Sequence, residues 1–297
     1  MTLGVVVMAY GTPRAPEDVE AYYTHIRRGR APTPELLEDL RARYAAIGGA
    51  SPLWERTAEQ ARAIERALGQ GFSVAVGQKH APPFIEDAVA TMAAAGAERL
   101  VGVVLAPHHS RGSVGEYASR LSVAAEAAGL RAVTIERWHD LPEWRAFQAA
   151  AVREGMASLP ERTKVIFSAH SLPEKVLVGD PYPDQLHESA AAIAAAAGLS
   201  RWSGWGLAWQ SAGRTPDAWR GPDIRAVLRD LAATRRADGV LVCPQGFTAD
   251  HLEVLYDLDV EARAVATELD LRFERTRSLN ADGTVFAAIA RRISASF

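Results

Sequence analysis

The feature that most constrains the fold is an alternation repeated along the whole chain. Short β-branched runs are each followed by a long stretch rich in Ala, Glu and Arg. The runs are LGVVVM at 3–8, 72–76, LVGVVL at 100–105, 132–135, KVIF at 164–167, 206–209, GVLV at 239–242 and 271–274. Runs this rich in Val and Ile that do not alternate with polar residues predict strands buried on both faces. Between them, 34–46, 57–68, 84–95, 114–128, 222–234 and 284–294 predict helices. Strand–helix alternation of this kind means an α/β fold with mainly parallel sheets.

A chain of 297 residues is long enough for two domains, each commonly about 100–200 residues. A weak internal echo points the same way. VVVMAYGTP near the start resembles VIFSAHSLP at 165–173, and LVGVVLAPHHS at 100–110 resembles GVLVCPQGFTADH at 239–251. In each case a strand runs into a polar loop and then a helix. Two similar α/β domains would produce this, with the boundary near Trp138 to Arg145. The expected division is 1–142 and 143–297, with the last helix able to pack back on the first domain. Loops at the strand carboxyl ends would then face one cleft, where such sheets bind ligands.

Composition narrows the function. The formal net charge of −3 gives no reason to expect a nucleic-acid partner. The single cysteine, Cys243, cannot form an internal disulfide or an all-cysteine iron–sulfur cluster. The apolar runs fall short of the roughly 20 residues that span a bilayer, and the first lacks the basic flank of a secretory signal. A soluble, cytoplasmic protein is the expectation. The signatures GxGxxG, GxSxG and HExxH are absent, so nothing indicates nucleotide, hydrolase or zinc-protease chemistry.

Four stretches carry chemistry. In SAHSLP, His170 directly follows a buried strand, where an imidazole can serve as metal ligand or proton acceptor, or simply hydrogen-bond a loop. In DHLEVLYDLDVE, a helix would stack Glu253, Asp257 and Glu261 at i, i+4 and i+8. Like charges so placed repel unless solvent screens them or a cation sits on them. The row is either a solvated acidic face or a cation path, and Glu253 with His170 would make a mixed N/O pair suited to Fe²⁺. YYTHIRRGR brings Arg27, Arg28 and Arg30 together, and Arg43, Tyr44 and the hydroxyl of Ser51 follow. Guanidinium groups bind carboxylates bidentately, although clustered arginines also solubilise surfaces. Tyr10, in AYGTP, ends the first strand at the point matching His170, and either faces a ligand or caps the core.

Read together, VMAYGTP, YYTHIRRGR, IGGASPL, GQKHAPPFIEDAV, LAPHHS, SAHSLPEK, DPYPDQLHES, WQSAGRTPDAW and GFTADHLEVLYDLD resemble the ferrochelatase family. The match runs from the first strand to the last helix, and the form is most similar to the coproporphyrin III enzymes of Gram-positive-type bacteria. The resemblance implies a chelatase fold of two Rossmann-like domains, each a four-stranded parallel sheet flanked by helices, around a porphyrin cleft. It implies that His170 and Glu253 are the inner metal-site pair and that Tyr10 approaches from the opposite face. Asp257 and Glu261 would continue an acidic ladder that carries the metal or holds a structural divalent cation. Arg27, Arg43, Tyr44, Ser51 and Tyr117 match positions that hold propionates. Lys79 and His80 match a loop beside the cleft.

The implied reaction inserts Fe²⁺ into a porphyrin, with no cofactor beyond that substrate and no iron–sulfur cluster, by a monomer that does not insert into the membrane. Coproporphyrin III is the expected macrocycle and protoporphyrin IX the alternative. A chelatase loading cobalt or nickel, and a non-catalytic haem carrier, are the rivals.

Overall fold

The computed structural model describes residues 2–297. Its first half contains β1 (Thr2–Ala9), α1 (Val19–Ile26), α2 (Pro34–Ala46), α3 (Leu53–Leu68), β2 (Phe72–Gln78), α4 (Ile85–Ala94), β3 (Ala97–Val104), α5 (Val114–Ala127) and β4 (Arg131–Ile135). The second half contains α6 (Pro142–Met156), β5 (Thr163–His170), α7 (Glu174–Leu177), α8 (Tyr182–Ala197), β6 (Trp205–Gln210), α9 (Ile224–Ala233) and β7 (Gly239–Cys243). These are followed by α10 (Leu252–Leu255), a wide π turn (Asp257–Ala262), α11 (Arg263–Glu268), β8 (Arg272–Arg275) and α12 (Gly283–Ser294).

Each half builds one four-stranded sheet, ordered β2-β1-β3-β4 and β6-β5-β7-β8, and every pairing is parallel. The two orders correspond strand for strand, which accounts for the echo in the sequence. Val5 to Met8 are wholly buried, and so are Val240 to Cys243. Strands covered by helices on both faces need apolar side chains on both, which is why these runs do not alternate. At Gly102 a side chain would meet Leu121 at 2.3 Å and Met8 at 2.8 Å, so glycine there lets α5 lie close on β3.

One core cluster runs from Val5 and Val101 of the first sheet through Trp138 and Trp144 to Phe167 and Leu241 of the second. Its far side is closed by Val285, Phe286 and Ile289 of α12, which packs against α3 and α6. The last helix thus bridges α3 of the first half and α6 of the second. Polar contacts reinforce the seam. Gln60 of α3 donates to the Thr248 and Asn280 carbonyls at 3.1 and 3.0 Å, and the Thr248 hydroxyl donates to the Leu105 carbonyl at 3.0 Å. Among the described residues no helix is long and apolar enough to cross a membrane.

The segment carrying the acidic row departs from a regular helix. Asp250 and His251 precede it, with His251 extended. After the single turn of α10 the Tyr256 carbonyl accepts from Glu261 at 2.9 Å, an i to i+5 bond. In a regular α-helix an i+4 row drifts around the axis by about 40° per step. A wider turn straightens the row. Val254, Leu258 and Ala262 all stay fully buried while the carboxylates stay together on another face.

Candidate active site at the strand carboxyl ends

β1 and β5 are the corresponding inner strands of the two sheets, and each brings one candidate side chain to its carboxyl end. β5 delivers His170. A carbonyl oxygen only accepts, so the contact from His170 Nδ1 to the Ser171 carbonyl puts the proton on Nδ1 and leaves Nε2 facing the cleft. That Nε2 lies 3.2 Å from Oε1 of Glu253. The Tyr182 hydroxyl donates to the His170 carbonyl at 3.3 Å.

Glu253, in the first turn of α10, is anchored through its backbone. Gln210 Nε2 donates to its carbonyl at 2.8 Å, and Gln210 is itself held by the Ser168 hydroxyl at 2.8 Å. The loop leading to α10 passes close under His170. At Gly246 a side chain would meet the Ala169 Cβ at 2.7 Å, so only glycine lets the loop cross there. His251 completes the group, a residue that sequence reasoning missed. Its Nδ1 donates to the Ala249 carbonyl at 2.8 Å, and its Nε2 lies 3.5 Å from Glu253 Oε2. One carboxylate thus has an imidazole on each oxygen.

The electrostatics follow from burial and pairing. Burial disfavours a charge on His170, but the adjoining Glu253 carboxylate outweighs it and raises the imidazole to about 9. Burial also opposes ionisation of Glu253, yet His170 and then His251 hold it well below the usual carboxylate range. The pair is an imidazolium and a carboxylate at neutral pH. Asp257 is pushed the other way, to about 6, by burial and by its neighbours Glu253 and Glu261, against a hydrogen bond from Ser211. Glu261 lies 3.5 Å from Arg225, which Asp223 also holds, so its charge is partly matched. Among the described residues no three His, Cys, Asp or Glu side chains converge to hold a metal. A metal that is handed on to four ring nitrogens needs no closed set of protein ligands.

Tyr10 follows β1 and lies within range of the Glu253 charge. Its ring tilts against His80 at 4.6 Å and is 41% exposed. Desolvation by the surrounding protein, with Glu253 and Glu116 nearby, raises the phenol above its ordinary value. A cavity of about 990 Å³ opens beside it, lined by Tyr10, His25, Arg28, His80, Glu116 and Arg120 among others. That size suits a large ligand. Lys79 pairs with Glu116 at 2.6 Å and lies over the Tyr117 ring.

The other residues singled out in the sequence fall at varied places. Tyr44 is buried, 3.4 Å from the Thr12 hydroxyl, and burial pushes its phenol up to about 12. Tyr117 is buried and shifted the same way. Ser51 accepts from the Leu53 N–H at 3.3 Å at the start of α3 and keeps its own proton free to donate. Arg43 lies 3.1 Å from Asp39 and over the Tyr256 ring. Arg27 folds back on its own turn, donating to the Arg30 carbonyl at 3.3 Å, and Arg28, at φ 56°, lines the cavity instead.

The chain is similar to several known proteins. A family model described as ferrochelatase matches residues 2–296. The coproporphyrin III ferrochelatase of Bacillus subtilis is 46% identical, over 97% of this chain and 96% of its own length. That of Geobacillus kaustophilus is 45% identical, over 97% and 94%. Among solved structures, SirB from Bacillus subtilis with Fe³⁺ aligns over 99% of this chain and 95% of its own. Its TM-score is 0.59 at 12% identity, a likeness of fold alone. The chain belongs to the ferrochelatase family of metal-inserting enzymes.

Proposed function

We propose that the protein inserts Fe²⁺ into coproporphyrin III, giving iron coproporphyrin III and releasing two pyrrole protons. The observation that carries this reading is the His170–Glu253 pair, whose carboxylate charge reaches Tyr10, in a chain 46% identical to a coproporphyrin III ferrochelatase.

His170 Nε2 and Glu253 hold the iron on one face of the macrocycle. An approaching dication repels the imidazolium proton, which frees Nε2 as a ligand and leaves Glu253 to offset the metal charge. His251, on the other oxygen of Glu253, offers a way out for protons. Tyr10 approaches the opposite face, and its raised pKa keeps the phenol neutral until a metal acts on it. Arg27, Arg43, Tyr44, Ser51 and Tyr117 receive propionates. Asp257 and Glu261 extend the acidic row away from Glu253, as a path for iron or a seat for a divalent cation. A planar porphyrin keeps its nitrogen lone pairs in the ring plane, and a cleft that binds it distorted exposes them. On this reading the enzyme is a cytoplasmic monomer that divides at 142/143. It needs no cofactor beyond its iron substrate and no iron–sulfur cluster, and it acts without nucleic acid or membrane insertion.

The test is anaerobic Fe²⁺ insertion, with coproporphyrin III and protoporphyrin IX side by side, followed by the Soret and Q bands. Faster insertion into coproporphyrin is expected. The reverse preference would overturn the substrate, and tight binding of both without insertion would leave a porphyrin carrier.

A further inference from the structure

Two arginines from opposite halves of the chain converge on one aspartate. Asp39, on α2, has Oδ1 2.7 Å from Arg214 Nη2 and Oδ2 3.1 Å from Arg43 Nε. Arg43 lies one turn further along the same helix. Arg214 comes from the loop between β6 and α9, three residues after the serine that holds Asp257. The guanidinium of Arg43 lies 5.3 Å from the Tyr256 ring centroid, which ties the cluster to the wall carrying the acidic row. Arg43 Nε is buried and makes no well-aligned hydrogen bond among the described residues, so its contact with Asp39 is one of charge. Arg214 is half exposed and Asp39 nearly two-fifths, so solvent and solutes reach both.

Two guanidinium groups share the single carboxylate of Asp39, with Asp257 the next acid within range of Arg43. The arrangement is that of a carboxylate-binding site, since planar guanidinium groups take one oxygen each. Here the chain's own side chain fills it. Exposed ion pairs contribute only about 0–1 kcal/mol, so Asp39 is a weakly held occupant. We propose that Arg43 and Arg214 together receive a peripheral carboxylate of the tetrapyrrole, and that Asp39 occupies this site until the substrate displaces it. The proposal rests on the porphyrin reading above and deepens it. Arg214 becomes a substrate-binding residue from the second half of the chain, and Asp39 a built-in competitor. A ring without a carboxylate at that corner would not displace Asp39, so the site selects for carboxylate-rich macrocycles.

The competitor and a simple strap across the cleft differ in sign. Removing either partner of a strap changes binding in the same direction. Removing a competitor tightens binding, whereas removing the receiver weakens it. The experiment measures the Kd of metal-free coproporphyrin III by tryptophan fluorescence quenching in the full-length protein, with coproporphyrin III tetramethyl ester as the ring without free carboxylates. Arg214→Ala is expected to weaken coproporphyrin binding about fivefold and Asp39→Asn to tighten it about threefold, the scale of one exposed charged contact. Arg214→Lys is expected to keep part of the affinity, and the ester to show none of these changes. An unchanged Kd in Arg214→Ala would overturn the proposal, and so would weaker binding in both variants or equal effects on the ester. If the wild-type protein binds the acid no more tightly than the ester, it is the underlying carboxylate reading that fails.

Discussion

His170 carries one proton too many to act as it stands. Raised to about 9 by Glu253, it is an imidazolium at neutral pH, and an imidazolium neither ligates a metal nor takes a pyrrole proton. On the proposed reading the metal's own charge drives that proton off, and the pair works as a gated ligand set. Replacing His170 by Ala is expected to cut turnover by about 100-fold or more, the usual scale of a lost acid–base group, with porphyrin binding retained. Steady-state metallation and fluorescence titration of the same preparation check both halves of that statement, and undiminished turnover would remove His170 from the mechanism. The position of His170 was legible in the sequence because a polar residue closing a buried strand lands where α/β sheets bind ligands. The partnership of His251 was not. It depends on an extended residue capping α10, so that its ring stands beside a carboxylate two residues on, and that backbone conformation leaves no periodicity to read.

All eight predicted strands and the six predicted helices are present, with ends displaced by up to about four residues. The wide turn at Asp257–Ala262 was not legible, because an i+4 row of carboxylates looks the same whether the helix beneath it is regular or widened. The pairing of this element with the loop after β6 was equally hidden. Ser211 holds a left-handed φ of 62° and donates its hydroxyl to Asp257. A non-glycine residue kept in that region costs about 1–3 kcal/mol, and the bond to a buried carboxylate offsets part of it. The bond favours the charged form of Asp257, so Ser211→Ala should raise the Asp257 pKa further above about 6. Carboxyl-carbon NMR titration would read the shift, and an unmoved or lowered pKa would show that the hydroxyl does not stabilise the carboxylate.

At the scale of the whole molecule, the seam between the two sheets contains a pair of buried histidines that the proposed chemistry does not use. His108 and His139 stack at 5.1 Å, and both are nearly inaccessible. His108 Nε2 lies 2.7 Å from the Ser189 hydroxyl of α8, Trp144 and Tyr182 meet the His108 ring edge-on, and neither histidine has a partner for Nδ1 among the described residues. Glu188, 3.8 Å from His139 and paired with Arg145, is the nearest compensating charge, with Asp140 also in range. Burial lowers both histidines below their ordinary value, and His139 depresses His108 further. A base that is harder to protonate when folded incurs no penalty above its unfolded pKa of about 6.5. Below that pH stability falls, by up to about 1.4 kcal/mol per pH unit for each such group. The His170–Glu253 pair does not contribute to this loss. The His170 contribution is complete below about 6.5 and fades only as pH rises through about 9, and that of Glu253 is lost only in strong acid. Asp257, harder to ionise when folded, regains stability as pH falls through about 6. His80, lowered to about 3 by burial and the neighbouring Lys79, has the same sign as the seam pair but sits beside the cleft. The urea midpoint of the wild-type protein should therefore drop between pH 7 and pH 5, and that of His108→Asn/His139→Asn should drop less, retaining the His80 share. Equal slopes in the two proteins would mean that the seam accepts protons without cost and that its polar network is relaxed enough to solvate them.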